Sequence, residues 1–129
     1  MSNILKLITT FLLFGNFCLA QNPQKSTDDL YKEKIYNACK KKIINYSLKD
    51  FDGLFFEFMN KNNDPKIVMT REEYYNYTIQ IAAFSDRWMA LYPEQKTEAE
   101  ANKKTWQTKT YGEYLTGQTH TFMFNTFSK

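Results

Sequence analysis

The chain has 129 residues, with 17 lysines and arginines against 14 aspartates and glutamates, so its formal charge at neutral pH is only +3. This balance, with one short basic run at residues 40–42, argues against a nucleic-acid-binding protein, which would concentrate positive charge on one face. With two cysteines and one histidine, the chain cannot form a four-cysteine or a cysteine–histidine zinc site.

The first twenty residues have the pattern of a secretory signal peptide. Lys6 supplies a positive charge, an apolar run follows from Leu7 to Phe17, and the segment ends in Cys18-Leu19-Ala20. We therefore expect cleavage after Ala20 and export from a bacterial cell, to the periplasm or the extracellular space. The apolar run is about half the length needed to cross a bilayer, so we expect no stable membrane anchor after cleavage.

The mature chain would have 109 residues, which suits one compact domain. Only Cys39 would remain, so no intrachain disulfide could support the fold and its core must supply the stability. Residues 21–26 are predicted to be a disordered leader, and residues 27–129 a single helical domain. The predicted fold class is all-α, a small bundle of about four helices.

The first predicted helix begins with Thr27 or Asp28 as its N-cap and runs to about Tyr46. Cys39 falls on its apolar face, which predicts a buried and unreactive thiol.

The second segment, residues 48–60, is open to two interpretations. Ser47 and Asp50 form a capping pair, and apolar residues recur at helical spacing, which favours a helix. The alternative is a β-hairpin in residues 54–69, because aromatic residues favour strands and a turn-rich stretch ends at Pro65. In either case we expect this segment to be the most buried part of the fold or to be covered by a partner.

The long central helix, residues 70–92, has the strongest signal. Thr70 and Glu73 form a capping box, and Pro93 ends the run. Steps of three and four residues along the sequence predict one apolar stripe facing the core. Its members are Tyr74, Tyr77, Ile81, Phe84, Trp88 and Leu91.

A last helix is predicted from Glu94 to about Leu115, with a kink or break near Gly112 and a stop at Gly117. The aromatic tail after Thr119 is expected to lie against the bundle as an extended segment or a short helical turn.

No catalytic or cofactor-binding motif is present, so we assign no catalytic residue, no cofactor and no metal. A serine triad would need His120, for which the sequence fixes neither serine nor acid. A hydrolase based on Asp50, Asp52 and Glu57 is the alternative, if burial raises the pKa of one of these acids.

Tyrosine is more abundant than a core of this size can bury, so we expect some tyrosines to form an exposed interaction surface. The candidates are Tyr74, Tyr75, Tyr92, Tyr111 and Tyr114. We therefore expect a small exported, non-catalytic protein that binds a protein partner, such as an envelope immunity or inhibitor protein. A third hypothesis is a pocket for an apolar ligand between the long helix and the Phe51–Phe58 segment.

The export hypothesis predicts a defined N-terminus. Protein recovered from the envelope or the medium should begin at Gln21, because signal peptidase cuts after a small residue such as Ala20. Intact mass and N-terminal sequencing measure this directly. Recovery of the chain with Met1 still in place would contradict the hypothesis.

Overall fold

The computed structural model describes the backbone of residues 23–127 and the side chains of residues 23–119. The predicted signal peptide and the side chain of His120 lie outside these residues. Every regular element within them is helical. The α-helices are α1 (Thr27–Ile43), α2 (Leu48–Asn63), α3 (Arg71–Leu91), α4 (Lys96–Thr108) and α5 (Tyr111–Phe127), with a 3-10 turn at Pro93–Gln95. No helix in this part of the chain is long and apolar enough to span a membrane.

The first three helices begin with the same local device. Ser47 Oγ accepts a hydrogen bond from the amide of Asp50, whose carboxylate accepts one from the amide of Ser47. Thr70 and Glu73 repeat this capping box at the start of α3. Both were predicted, and each satisfies two amides that the first helical turn leaves without partners. The cap of α1 is Ser26 rather than Thr27 or Asp28, and its partner is Asp29.

The break predicted near Gly112 in the C-terminal part of the chain is present. Residues 96–108 and 111–127 form two helices, and the interruption lies at residues 109–110. α5 continues to Phe127, so Gly117 does not end a helix as predicted. No described glycine has the positive φ that is typical of a glycine at the end of a helix. The bundle therefore has five helices in the described residues rather than about four.

Residues 48–63 form a helix, so the β-hairpin alternative is wrong. This helix is not the most buried element, however. Phe58 is its only buried residue, and Leu48 and Phe56 are 51% and 63% exposed. The reason is that α2 packs on α3 along one side only, and its second apolar side is left uncovered.

The most buried element is α3. Nine of its residues are buried, at Tyr74, Tyr75, Thr78, Ile79, Ile81, Ala82, Ala83, Phe84 and Ser85. They cover most directions around the helix, because α1, α2 and α4 all pack on it, while Asn76 and Gln80 lie on the side that is not buried. The predicted stripe fails at its end, where Trp88 and Leu91 are 36% and 41% exposed since the neighbouring helices do not cover the last turn.

The central position of α3 predicts a strong contrast between neighbouring substitutions. Ile81→Ala should lower the free energy of unfolding by about 2–5 kcal/mol, because Ile81 is fully buried. Gln80→Ala should change it by less than about 0.5 kcal/mol, since Gln80 bonds only to its own helix. Urea denaturation of both variants measures the difference. Equal losses would mean that the faces of α3 are assigned wrongly.

Candidate functional site

An aromatic groove lies over Ile81, between α2 and α4. It has a volume of about 450 Å³ and is walled by Phe51 and Phe55 from α2 and by Ala99 and Trp106 from α4. Trp88 closes one end. The helical spacing of Phe51 and Phe55 places both rings on one side of α2, and α3 supports both walls.

Contacts behind the groove hold its rings in place. The ring of Phe51 stacks on Phe84 with centroids 4.1 Å apart. Trp106 meets Phe55 and Phe58 edge to face, at 6.1 and 5.6 Å. The indole nitrogen of Trp88 donates a hydrogen bond to Gln95 Oε1 at 2.8 Å. Rings that are already fixed lose little rotational freedom when a ligand binds, which favours affinity.

The polar part of the groove is small. Glu98 and Asn102 of α4 lie among its lining residues. The Asn102 amide nitrogen donates to Ser85 Oγ at 3.1 Å, and this contact orients the side chain with its carbonyl oxygen as a remaining acceptor. A mostly apolar cavity with a few fixed polar groups is the usual composition of a binding site.

Exposed apolar residues extend the groove. Phe56 adjoins the wall ring of Phe55, with centroids 6.5 Å apart. Leu48 precedes Phe51 by three residues, so it lies beside it on the helix surface. At the other end, Tyr92 packs edge to face on Trp88 at 6.4 Å and is 37% exposed. The groove is thus the centre of a larger apolar surface on α2 and the end of α3.

The predicted tyrosine surface is not formed. Tyr74, Tyr75 and Tyr114 are 5%, 0% and 6% exposed, and Tyr111 is half-buried against the core they form. Only Tyr92 is exposed. The prediction was wrong for the first three because their hydroxyls or rings find partners in other helices, so a core of this size holds more tyrosine than expected.

Tyr75 shows how a phenol is accommodated inside the bundle. Its hydroxyl donates to the Asp28 carboxylate and accepts from the backbone amide of Tyr111 at 3.0 Å. Arg71 forms an ion pair with the same carboxylate. These bonds connect α1, α3 and the start of α5. The hydrogen bond from Tyr75, followed by that from Arg71, lowers the pKa of Asp28.

A second polar cluster connects α1, α3 and α4. Tyr36 donates its phenol hydrogen to Asp86, and Lys103 Nζ lies 2.8 Å from Asp86 Oδ1 and 3.1 Å from Tyr36 Oη. Burial and the bond to Asp86 raise the pKa of Tyr36. No sequence pattern predicted this cluster, because its members are separated by 17 to 67 positions. The sequence shows only that Asp86 and Lys103 carry opposite charges on two predicted helices, and this does not indicate that the two side chains meet.

The three candidate acids are not arranged as a buried pair. Asp50 is exposed and caps α2, and its hydrogen bonds from Ser47 lower its pKa rather than raise it. Asp52 and Glu57 are also exposed. Asp50 and Glu57 line a cleft of about 750 Å³ between α2 and α3, which Asp52 does not line. The environment expected for an acid catalyst is therefore absent at Asp50, and the hydrolase hypothesis stays untested.

Cys39 was predicted to be buried, and the structure shows it only partly buried. Its thiol is free and donates to the carbonyl of Tyr36 at 3.6 Å. Burial raises the pKa of the thiol, which reduces the thiolate present at neutral pH. Among the described residues, no three histidine, cysteine or acidic side chains come together as a candidate metal site.

Comparison with known proteins gives no relative. No protein family matches the chain, and no curated protein or solved structure is similar enough to it to count as a match. Function must therefore be argued from the geometry of the chain itself.

The Asp28 network predicts a pH-dependent contribution to stability. The folded pKa of Asp28 lies below its unfolded value of about 3.9, so the contribution is present above that pH and is lost as the pH falls through the folded pKa. Asp28→Asn should lower the urea midpoint at pH 7, and its difference from the native chain should shrink as the pH falls from about 4 to 2.

Asp52→Asn is the matched control, since Asp52 is an exposed helical aspartate. It should leave the urea midpoint at pH 7 unchanged. A difference for Asp28→Asn that stays constant over the acid range would show that the carboxylate charge is not the cause.

Proposed function

We propose that the chain is a small exported, non-catalytic binding protein that receives apolar side chains of a protein partner in the aromatic groove. The observation that carries this proposal is the continuity of the groove with exposed apolar residues on both of its sides. Phe56 at 63% and Leu48 at 51% exposure adjoin one wall, and the exposed Tyr92 packs on Trp88, which lines the groove. Contiguous apolar surface of this kind is characteristic of protein interaction sites.

The shape of the site favours a helical segment of the partner. Aromatic residues of α2 and α4 line the groove together with Ile81, and such an apolar groove suits an amphipathic helix that inserts one row of side chains. Trp106 and Phe55 are among the lining residues, and large aromatic side chains often contribute much of the binding energy. The lining supplies packing surface and one ionisable group, Glu98, rather than a nucleophile with a base.

An immunity or inhibitor protein of the envelope is the specific role that we propose within this class. The support is the expected export, the small size and a binding surface on a rigid helical frame; the role itself is an analogy. Such a protein must bind one partner tightly, and a surface formed by residues already fixed by packing reduces the entropy lost on binding.

A small apolar ligand is the second candidate, and the groove volume favours it. About 450 Å³ falls within the range of about 300–1,000 Å³ that is usual for small-molecule sites. The Asn102 carbonyl and the Glu98 carboxylate would then orient one polar end of the ligand. Such a ligand would be enclosed by the groove and would not need the exposed Phe56 beside it.

Phe56→Glu distinguishes the two candidates. Phe56 is mostly exposed, so the variant should fold normally, while a charge on the rim should weaken binding of a protein partner at least tenfold. Capture from envelope extract, followed by affinity measurement on the recovered partner, tests this. Leu30→Glu is the matched control, because Leu30 is 55% exposed on α1, outside the groove.

Native mass spectrometry of the purified chain completes the test. A partner bound equally by the native chain and by Phe56→Glu would refute the protein-binding proposal. A small adduct carried by both proteins, and lost on Trp106→Ala, would support the second candidate instead. A bare monomer with no captured partner would count against both.

A further inference from the structure

A second cavity lies at the other end of the bundle, between the ends of α2 and α4 and the first turns of α5. Its volume is about 810 Å³, and it shares no lining residue with the aromatic groove. Its polar walls include Asn63 from α2, Thr105 and Thr108 from α4, and Gln118 from α5. This cavity, called the polar cleft below, has the size of a small-molecule site.

The base of the polar cleft contains the phenol of Tyr74. Tyr74 is only 5% exposed, but its hydroxyl is not a buried unpaired atom, since among the described residues Thr78 Oγ1 alone is one. The Tyr74 ring is fixed by stacking on Tyr114, with centroids 4.7 Å apart. Burial raises the pKa of Tyr74 to about 12, so the group keeps its hydrogen and can donate it to a ligand in the cleft.

The other polar groups of the cleft are held in fixed positions. Gln118 Nε2 donates to the carbonyl of Asn62 at 2.7 Å, which leaves the Gln118 carbonyl oxygen as an acceptor. Glu113 uses one carboxylate oxygen to cap α5 at Thr110, and its other oxygen remains as an acceptor. Donors and acceptors therefore stand close together around one cavity.

The charges in the cleft balance. Among the described residues that line it, Lys109 and Glu113 are the ionisable ones apart from the tyrosines. They are near enough for Lys109 to contribute to the lowered pKa of Glu113, after the hydrogen bonds from Thr110. A cleft with one positive and one negative charge gives no net attraction to an ion. Its complement is a neutral molecule that both donates and accepts hydrogen bonds.

We propose that the polar cleft binds a neutral polyhydroxylated ligand, a short saccharide, with one hydroxyl bonded to the Tyr74 phenol. Hydroxyl groups are donors and acceptors at once, so they match the mixture of amide, phenol and carboxylate groups in the walls. This site is independent of the groove and of the partner proposed for it.

Two glycines of α5 allow a matched test. A Cβ atom added at Gly117, which lines the cleft, or at Gly112, which does not, would meet nothing within 4 Å. Gly117→Trp should therefore fold and occupy the cleft, and Gly112→Trp should fold and leave it open. Binding is measured by saturation-transfer NMR on the purified full chain, with maltose, cellobiose and chitobiose as probes.

We expect saturation transfer from at least one sugar in the native chain and in Gly112→Trp, and none in Gly117→Trp. Tyr74→Phe should weaken that binding at least tenfold while leaving the thermal midpoint unchanged, since it removes the donor that faces the cleft and keeps the packed ring. The proposal is overturned if none of the three sugars gives a signal with the native chain. It is also overturned if the signal persists in Gly117→Trp or is unaffected in Tyr74→Phe.

Discussion

The fold depends on the burial of the middle of α3. Between Tyr74 and Ser85, nine residues of this helix are buried, and α1, α2 and α4 pack on it. In the described residues the one cysteine is a free thiol, so packing and hydrogen bonds hold the helices around α3. The groove follows from this arrangement. α2 and α4 both pack on α3, and the rings of Phe55 and Trp106 contact each other between them. The space next to these rings and Ile81 is not filled, and it forms the groove.

The tyrosines combine burial with long-range hydrogen bonding. The Tyr111 hydroxyl donates to the carbonyl of Met69, and the Tyr114 hydroxyl accepts from its amide, both at 2.9 Å. Met69 immediately precedes the N-cap residue of α3 and is 1% exposed, and these two bonds hold its backbone in place. Tyr75 and Tyr36 join other helices in the same way. Tyr74 stacks on Tyr114 and lines the polar cleft.

Local signals in the sequence predicted the local structure well. The caps at Ser47 and Thr70 and the end of α3 before Pro93 depend on residues within one helical turn, and each lies where it was expected. The continuation of α5 past Gly117 was missed because glycine permits both helical and left-handed geometry, and sequence does not say which one is used. Exposure of Trp88 was missed for another reason: burial at a helix end depends on how far the neighbouring helices extend.

The sites were harder to predict because they join distant parts of the chain. The hypothesis of an apolar pocket between the long helix and residues 51–58 located the floor and one wall of the groove. It missed the second wall, because Ala99 and Trp106 reach the groove only through the packing of α4 on α3. The tyrosine surface was wrong for a related reason, since pairings such as Tyr75 with Asp28 span 47 positions. No periodicity in the sequence encodes such contacts.

The central claim is that binding takes place in the aromatic groove. The chain has two tryptophans, and both line this groove. The most direct measurement is therefore ¹⁹F NMR of chain labelled with 5-fluorotryptophan, free and in complex with the partner captured from the envelope. The account predicts that the Trp88 and Trp106 resonances both shift in the complex. A complex in which both resonances keep their free positions would contradict it.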